Sequence, residues 1–285
     1  MPMDSAASAW PLLILVFVFG AAIGSFLNVV AYRWPRRESI VSPPSHCMSC
    51  GERLTILDLF PILSYLALRG RCRHCGRRFS PRYMLVEFAC GLCAAGGVYV
   101  YGLDLHALGI FACCGALLVA LCVDLDWMIL PDETTVLIGA IGIAFDVARM
   151  TQQGAGAAIR YQEHIGSGEY SVLLPRSIVG LLVGYGLFAF IGWISQIVFR
   201  KPALGYGDVK LAAAMGTILG PGYAFGAYFL LSVVLGTVIS VPLLLLGIRG
   251  RRDYIPFGPM MAAAGILMLL FGESITPWVV ARYSL

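Results

Sequence analysis

Two aspartates in this chain stand where apolar sequence gives way to polar sequence, and four cysteines stand in two matched pairs. Asp124 follows nineteen residues, Leu105 to Val123, that contain no Asp, Glu, Lys or Arg. It lies in the string CVDLDWMILPDE, Cys122 to Glu133. Asp208 lies in GYGDVK, Gly205 to Lys210, just ahead of another apolar run. Ionisable groups at the ends of membrane-length apolar runs are costly to keep, and they mark functional sites by default. Two carboxylates that meet can share one proton. The ionised partner then activates a water, and the protonated one polarises a carbonyl. That is hydrolytic chemistry.

The surroundings of the pair suit an extended substrate. Gly205 and Gly207 flank Tyr206 and let the backbone approach a substrate closely. Lys210 closes the motif and is read with it as a positioning residue. Pro131 and Pro256 lack N–H groups and so free backbone acceptors near the same face. Pro256-Phe257-Gly258-Pro259 reads as a rest for a substrate strand. Asp126 and Asp132 compete with Asp124 for the first role. Asp126 sits about 200° around a helix from Asp124, so only one of the two faces a given partner.

The cysteines divide into two populations. Cys90, Cys93, Cys113, Cys114 and Cys122 lie in apolar runs, where a thiol acts as a small hydrophobe. Cys47, Cys50, Cys72 and Cys75 form two CxxC pairs, each followed by a glycine (Gly51, Gly76), with 21 residues between the pairs. Four thiolates so arranged suit a tetrahedral zinc ion, and two disulfides are the alternative. A reducing compartment favours zinc. His46 and His74 read as flanking residues rather than ligands.

The elements that must position these groups are membrane helices. Hydrophobic residues make up 59% of the chain and charged residues 13%, with a mean hydropathy of +0.82. A soluble domain carries about a quarter charged residues. The fold expected is an all-α polytopic membrane protein of about eight spans. They run from about Pro11 to Tyr32, Tyr83 to Tyr101, Leu105 to Val123, Thr135 to Ala148, Arg176 to Phe199, Leu211 to Leu219, Tyr223 to Gly247 and Ile255 to Phe271. The first has no basic region before it and no clear cleavage site, so it reads as a retained span rather than a signal peptide. Residues 33–82 form a zinc-ribbon-like insertion between the first two spans, and 83–285 form the core that carries both aspartates. Within the insertion, Leu57 to Leu66 is too short to span and reads as lying on the bilayer surface. Small residues of the first span (Gly20, Ala21, Gly24, Ser25) favour close helix contact, and Asn28 serves either an interhelical hydrogen bond or a substrate. Glu87 lies one turn inside the second span. The stretch from Arg149 to Pro175 shows no usable pattern.

Charge orients the spans. With both termini outside, the inner loops hold 16 of the 20 Lys and Arg, ten of them in residues 33–82. Positive loops stay in the cytoplasm. Asp124 and Asp208 then both fall at the cytoplasmic face. The pI near 8.6 reflects this loop anchoring rather than a nucleic-acid partner.

In this order, GSFLNVVAYRWP (Gly24 to Pro35), the paired CxxC, DLDWMILPD and GYGDVK resemble the bacterial type IV prepilin peptidases. The resemblance covers nearly the whole chain. It implies an inner-membrane aspartyl protease with a GxGD site that removes the short basic leader of type IV prepilins or type II secretion pseudopilins. It also implies, in many members, methylation of the new N-terminus by S-adenosylmethionine. The family's catalytic aspartates fall on Asp124 and Asp208, and its zinc cysteines on Cys47, Cys50, Cys72 and Cys75. The partners implied are these substrates and the lipid bilayer. A proton-coupled transporter is the rival reading, but carriers place such carboxylates near the bilayer midplane, often within inverted repeats.

Overall fold

The computed structural model describes residues 6–153, 159–165, 168–200, 204–247 and 256–283. The positive charges of residues 201–203 and 248–255, which entered the topology argument, lie outside the described residues. Nine α-helices appear among the described residues. They are α1 (Ala6–Arg33), the short α2 (Leu63–Ala67), α3 (Arg82–Tyr101), α4 (Leu105–Trp127), α5 (Asp132–Gln153), α6 (Arg176–Phe199), α7 (Tyr206–Leu219), α8 (Tyr223–Leu245) and α9 (Gly258–Tyr283). Seven of them are long and apolar enough to cross a membrane: α1, α3, α4, α5, α6, α8 and α9.

Three expectations change. The sixth expected span, Leu211 to Leu219, belongs to α7, whose 14 residues reach only about 21 Å against a hydrocarbon layer of about 30 Å. The stretch without a pattern begins as the end of α5 and continues as an antiparallel hairpin, β1 (Ile159–Ile165) paired with β2 (Gly168–Leu174). The eighth span runs through Pro277 to Tyr283, well past Phe271. Membrane-length helices tolerate such a proline because their neighbours satisfy the freed backbone groups.

The chain divides into two compact units, Met1–Val123 and Asp124–Leu285, with the boundary inside α4. In the first unit α1 packs on α3 through small residues, since bilayer helices associate by close backbone approach rather than by hydrophobic burial. A Cβ at Gly20 would lie 2.5 Å from the Ala94 Cβ, and one at Gly24 would lie 2.8 Å from the Cys90 Cβ. Val119, Cys122 and Val123 of α4 complete a core with Ala31 and Val86. Asn28 donates to the Tyr83 carbonyl at 3.0 Å, so it makes the interhelical bond. The insertion is tied back by the buried Arg33, which donates to the carbonyls of Ser39 (2.9 Å) and Pro43 (2.7 Å).

In the second unit α7 lies against α5 and α6. Gly180 and Gly184 of α6 are spaced four apart, as are Ala212 and Gly216 of α7. A side chain at Gly180 would overlap the Gly216 carbonyl, and one at Gly184 would overlap that of Ala212. On its other flank Thr217 fills the space that Gly142 of α5 leaves. The seam ends where Arg176 donates to the Leu219 carbonyl at 3.1 Å. Nearby, the Ser177 amide and hydroxyl both donate to the buried Asp146, each at 2.8 Å. This packing fixes the first turn of α7, where Asp208 stands.

Candidate functional site

Asp124 occupies the last turn of α4 and is 6% exposed; Asp208 occupies the first turn of α7 and is 5% exposed. The Asp124 carboxylate is close enough for its charge to act on Asp208. Each is held by its own stretch of backbone. The α4 helix stops at Met128, which adopts a left-handed conformation (φ 55°) and donates its N–H to the Asp124 carbonyl at 2.9 Å. A left-handed residue just past the last turn is a common way to end a helix, though methionine is an unusual choice. At the other strand of the site, Gly205 caps α7, and its N–H donates to the Asp208 Oδ2 at 3.1 Å. A carboxylate in a helix's first turn also meets the positive end of the helix dipole.

The residues between and around the pair take distinct places. Leu130 and Pro131 are buried, and the Pro131 carbonyl accepts the Thr134 hydroxyl at 2.7 Å as α5 begins. Gly207 lets α7 approach this turn, since a Cβ there would lie 2.9 Å from the Leu130 Cβ. Tyr206 is 64% exposed, with the Lys210 ammonium 4.8 Å from its ring centroid. Lys210 pairs with Asp132 at 2.6 Å, linking the start of α5 to α7. Asp126 and Asp132 are exposed where Asp124 is buried.

Two neighbours of the pair were not singled out from the sequence. Gly258, the first residue of α9, lies against Asp124: a Cβ there would be 2.5 Å from Oδ2. The Pro-Phe-Gly-Pro string around it was visible, but its partner was not. Tyr228 of α8 is fully buried, its hydroxyl has no hydrogen-bond partner among the described residues, and it feels the charge of Asp208. An aromatic within an apolar helix carries no signal of this kind.

The cysteine quartet assembles in the first unit. The four sulfurs lie within 4.8 Å of one another, with Cys47 to Cys75 at 3.9 Å and Cys50 to Cys72 at 4.0 Å. All four are free thiols. A disulfide needs about 2.05 Å, whereas the edge of a tetrahedral four-sulfur site is about 3.8 Å. The quartet could therefore hold a metal ion. Each knuckle is a tight turn: Gly51 donates to the Cys47 carbonyl at 2.8 Å and Gly76 to that of Cys72 at 3.0 Å. Both glycines are left-handed, at φ 72° and 68°. The backbone N–H groups of Ser49 and Cys50 hold the Cys47 thiol down to about 6, whereas, against the Glu52 N–H, burial and the neighbouring thiols push that of Cys50 up to about 12, so the four sulfurs crowd one another as free thiols. His46 bonds the Pro44 carbonyl instead, and no histidine joins the four sulfurs among the described residues.

Paired buried carboxylates in one unit and a four-thiol knuckle in the other are the two chemical features of this multi-helix membrane protein. Comparison gives it a family. Residues 18–101 match the Bacterial Peptidase A24 N-terminal domain, and residues 110–241 match the Type IV leader peptidase family. A prepilin leader peptidase/N-methyltransferase from Aeromonas hydrophila is 32% identical over 96% of this chain and 96% of that protein. One from Pseudomonas putida is 33% identical over 92% and 91%. An Escherichia coli type 4 prepilin-like proteins leader peptide-processing enzyme is 33% identical over 89% and 91%. No solved structure matches the chain. The chain belongs to the type IV leader peptidase family. It is a multi-pass membrane enzyme, and nothing in these comparisons supports the transporter alternative.

Proposed function

We propose that this protein removes the short basic leader of type IV prepilins or type II secretion pseudopilins at the cytoplasmic face of a bacterial inner membrane, and then methylates the new N-terminus. One observation carries the peptidase reading: Asp124 and Asp208 are buried together within reach of each other's charge. Two carboxylates so placed share a proton. The ionised one takes a proton from water as the water oxygen bonds to the scissile carbonyl carbon. The protonated one donates to the carbonyl oxygen, and a proton passes to the amine as the C–N bond breaks. Gly205 holds Asp208 through its N–H, and Gly207 and Gly258 let Leu130 and Asp124 pack against bare backbone, which fixes the carboxylates where an extended peptide would meet them. Tyr206 and Lys210 face outward beside them, and Pro131 anchors the turn beneath.

The four cysteines fit a structural zinc ion, with Cys47, Cys50, Cys72 and Cys75 as its ligands. Metal there holds two knuckles 21 residues apart in one unit. The basic residues of 33–82, on the same side of the spans as the ends of α4 and α6, support the knuckles and both aspartates lying in or facing the cytoplasm, with the N-terminus outside. The methylation reading is supported by the names of the full-length relatives. When bound, S-adenosylmethionine supplies a methyl group on a sulfonium. The new N-terminal amine forms the N–C bond as the S–C bond breaks, sulfur keeps the electron pair, and the ammonium product releases one proton.

The decisive experiment is incubation of the purified protein with a prepilin and S-adenosylmethionine, with product masses read for leader loss and for an added methyl. A substrate left at full length by folded enzyme overturns the reading.

A further inference from the structure

Peptide hydrolysis draws on the second unit and leaves a cavity in the first without a role. A cavity of about 620 Å³ lies between the Arg33 end of α1, the Arg82 end of α3 and the cysteine-bearing segment. Sites for small organic ligands span roughly 300–1,000 Å³. Its lining differs from one wall to another. On α3 stands Glu87, 9% exposed, with one carboxylate oxygen accepting the Ile62 N–H at 2.8 Å. No ion pair joins Glu87 to a cation among the described residues. A buried carboxylate without a cation is expensive, and such groups mark sites that receive one.

The other walls are of two kinds. Tyr65 and Tyr83 supply aromatic surface, and Arg71 and Arg78 supply positive charge. Tyr65 is fixed by Gly70, which is left-handed at φ 65° and leaves room for the phenol ring, and its hydroxyl reaches the Phe79 carbonyl at 3.4 Å. The ligand that suits these walls carries a fixed positive charge, a flat ring and a carboxylate.

We propose that this cavity binds the methyl donor, S-adenosylmethionine, with Glu87 facing its sulfonium, the tyrosines against its adenine and the arginines at its carboxylate. This rests on the reading that the chain methylates its product. A carboxylate shielded from water attracts a permanent cation far more strongly than one in bulk solvent. Glu87 therefore makes the site prefer the donor to S-adenosylhomocysteine, the product left after methyl transfer, which lacks the sulfonium charge.

The test uses the detergent-purified full chain. Binding of S-adenosylmethionine and of S-adenosylhomocysteine is measured for the wild type and for Glu87→Gln, with leader cleavage as the check on folding. Glu87→Gln is expected to weaken the donor by at least about ten-fold while weakening the product by less than about three-fold, since only one of them carries the sulfonium charge. Equal affinities in variant and wild type, or equal losses for both ligands, overturn the proposal.

Photolabelling the unmutated protein with radioactive S-adenosylmethionine gives an answer even where Glu87→Gln does not fold. Label is expected on peptides from residues 22–33 or 58–87. Label confined to other peptides, in protein that methylates, overturns the cavity and leaves the methyltransferase reading standing. A wild type that neither binds the donor nor adds a methyl overturns both.

Discussion

Gly258 presses its backbone against the carboxylate of Asp124, so closely that a Cβ at 258 would lie 2.5 Å from Oδ2 and 3.1 Å from Cγ. Real Cβ atoms do not come so near. Gly258→Ala therefore has to displace either the carboxylate or the start of α9. A misplacement of about 1 Å at a reacting group costs on the order of 100-fold in rate. We expect Gly258→Ala to accumulate in the membrane and to lose at least about ten-fold in leader cleavage, measured against a prepilin. Cleavage at the wild-type rate would show that the contact carries no function.

Asp124→Asn and Asp208→Asn are each expected to abolish cleavage in protein that still accumulates. Each carboxylate has its own part, so neither can cover for the other. Asp126, exposed where Asp124 is buried, should tolerate the same change with most activity kept. A dead Asp126→Asn beside an active Asp124→Asn reverses the assignment.

Tyr228→Phe removes one buried hydroxyl that has no partner among the described residues. Leaving such a group unpaired costs about 1–3 kcal/mol, so the variant should melt no lower than the wild type. Cleavage should nevertheless fall severalfold, through kcat rather than KM, because the hydroxyl stands in the field of Asp208. An unchanged kcat would assign Tyr228 to packing.

The seam between α6 and α7 offers a test of what places Asp208. Gly216→Ala drives a methyl group into the Gly180 backbone, which cannot yield as a flexible side chain does. We expect a clear loss of folded protein, read as yield and melting temperature in detergent. Gly139→Ala on α5 meets nothing within 4 Å and should be neutral, or stabilising by about 0.5–1 kcal/mol. Equal behaviour of the two variants would remove the seam from the account.

The cysteine quartet should hold one zinc per chain, read by metal analysis of purified protein. Cys72→Ser/Cys75→Ser should lose that metal and accumulate cleaved but unmethylated prepilin, since the aspartates lie on other helices. Equal loss of both activities in folded protein would give the knuckles a role in substrate docking.

The helices, the cysteine quartet and the two aspartate strings could be read from the sequence because each depends on a pattern local in the chain. Apolar length marks a span, since a helix satisfies its own backbone wherever it lies in lipid. CxxC followed by glycine marks a knuckle, since the turn is four residues long and needs φ above zero. The small residues Gly20 and Gly24 announced a close helix contact, and α1 meets α3 there. Boundaries were less legible. The eighth span reads to about Phe271, yet α9 runs on through Pro277 to Tyr283, and the hairpin after α5 is missed although Gly166-Ser167 stands between its strands in the sequence. Only the tertiary structure set Gly258 against Asp124, buried Tyr228 beside Asp208, and left Glu87 without a cation on the wall of a cavity. Those relationships join residues 20 to 134 positions apart. Sequence spacing along one helix says which face a residue shares, but which other helix meets that face is decided by packing through space.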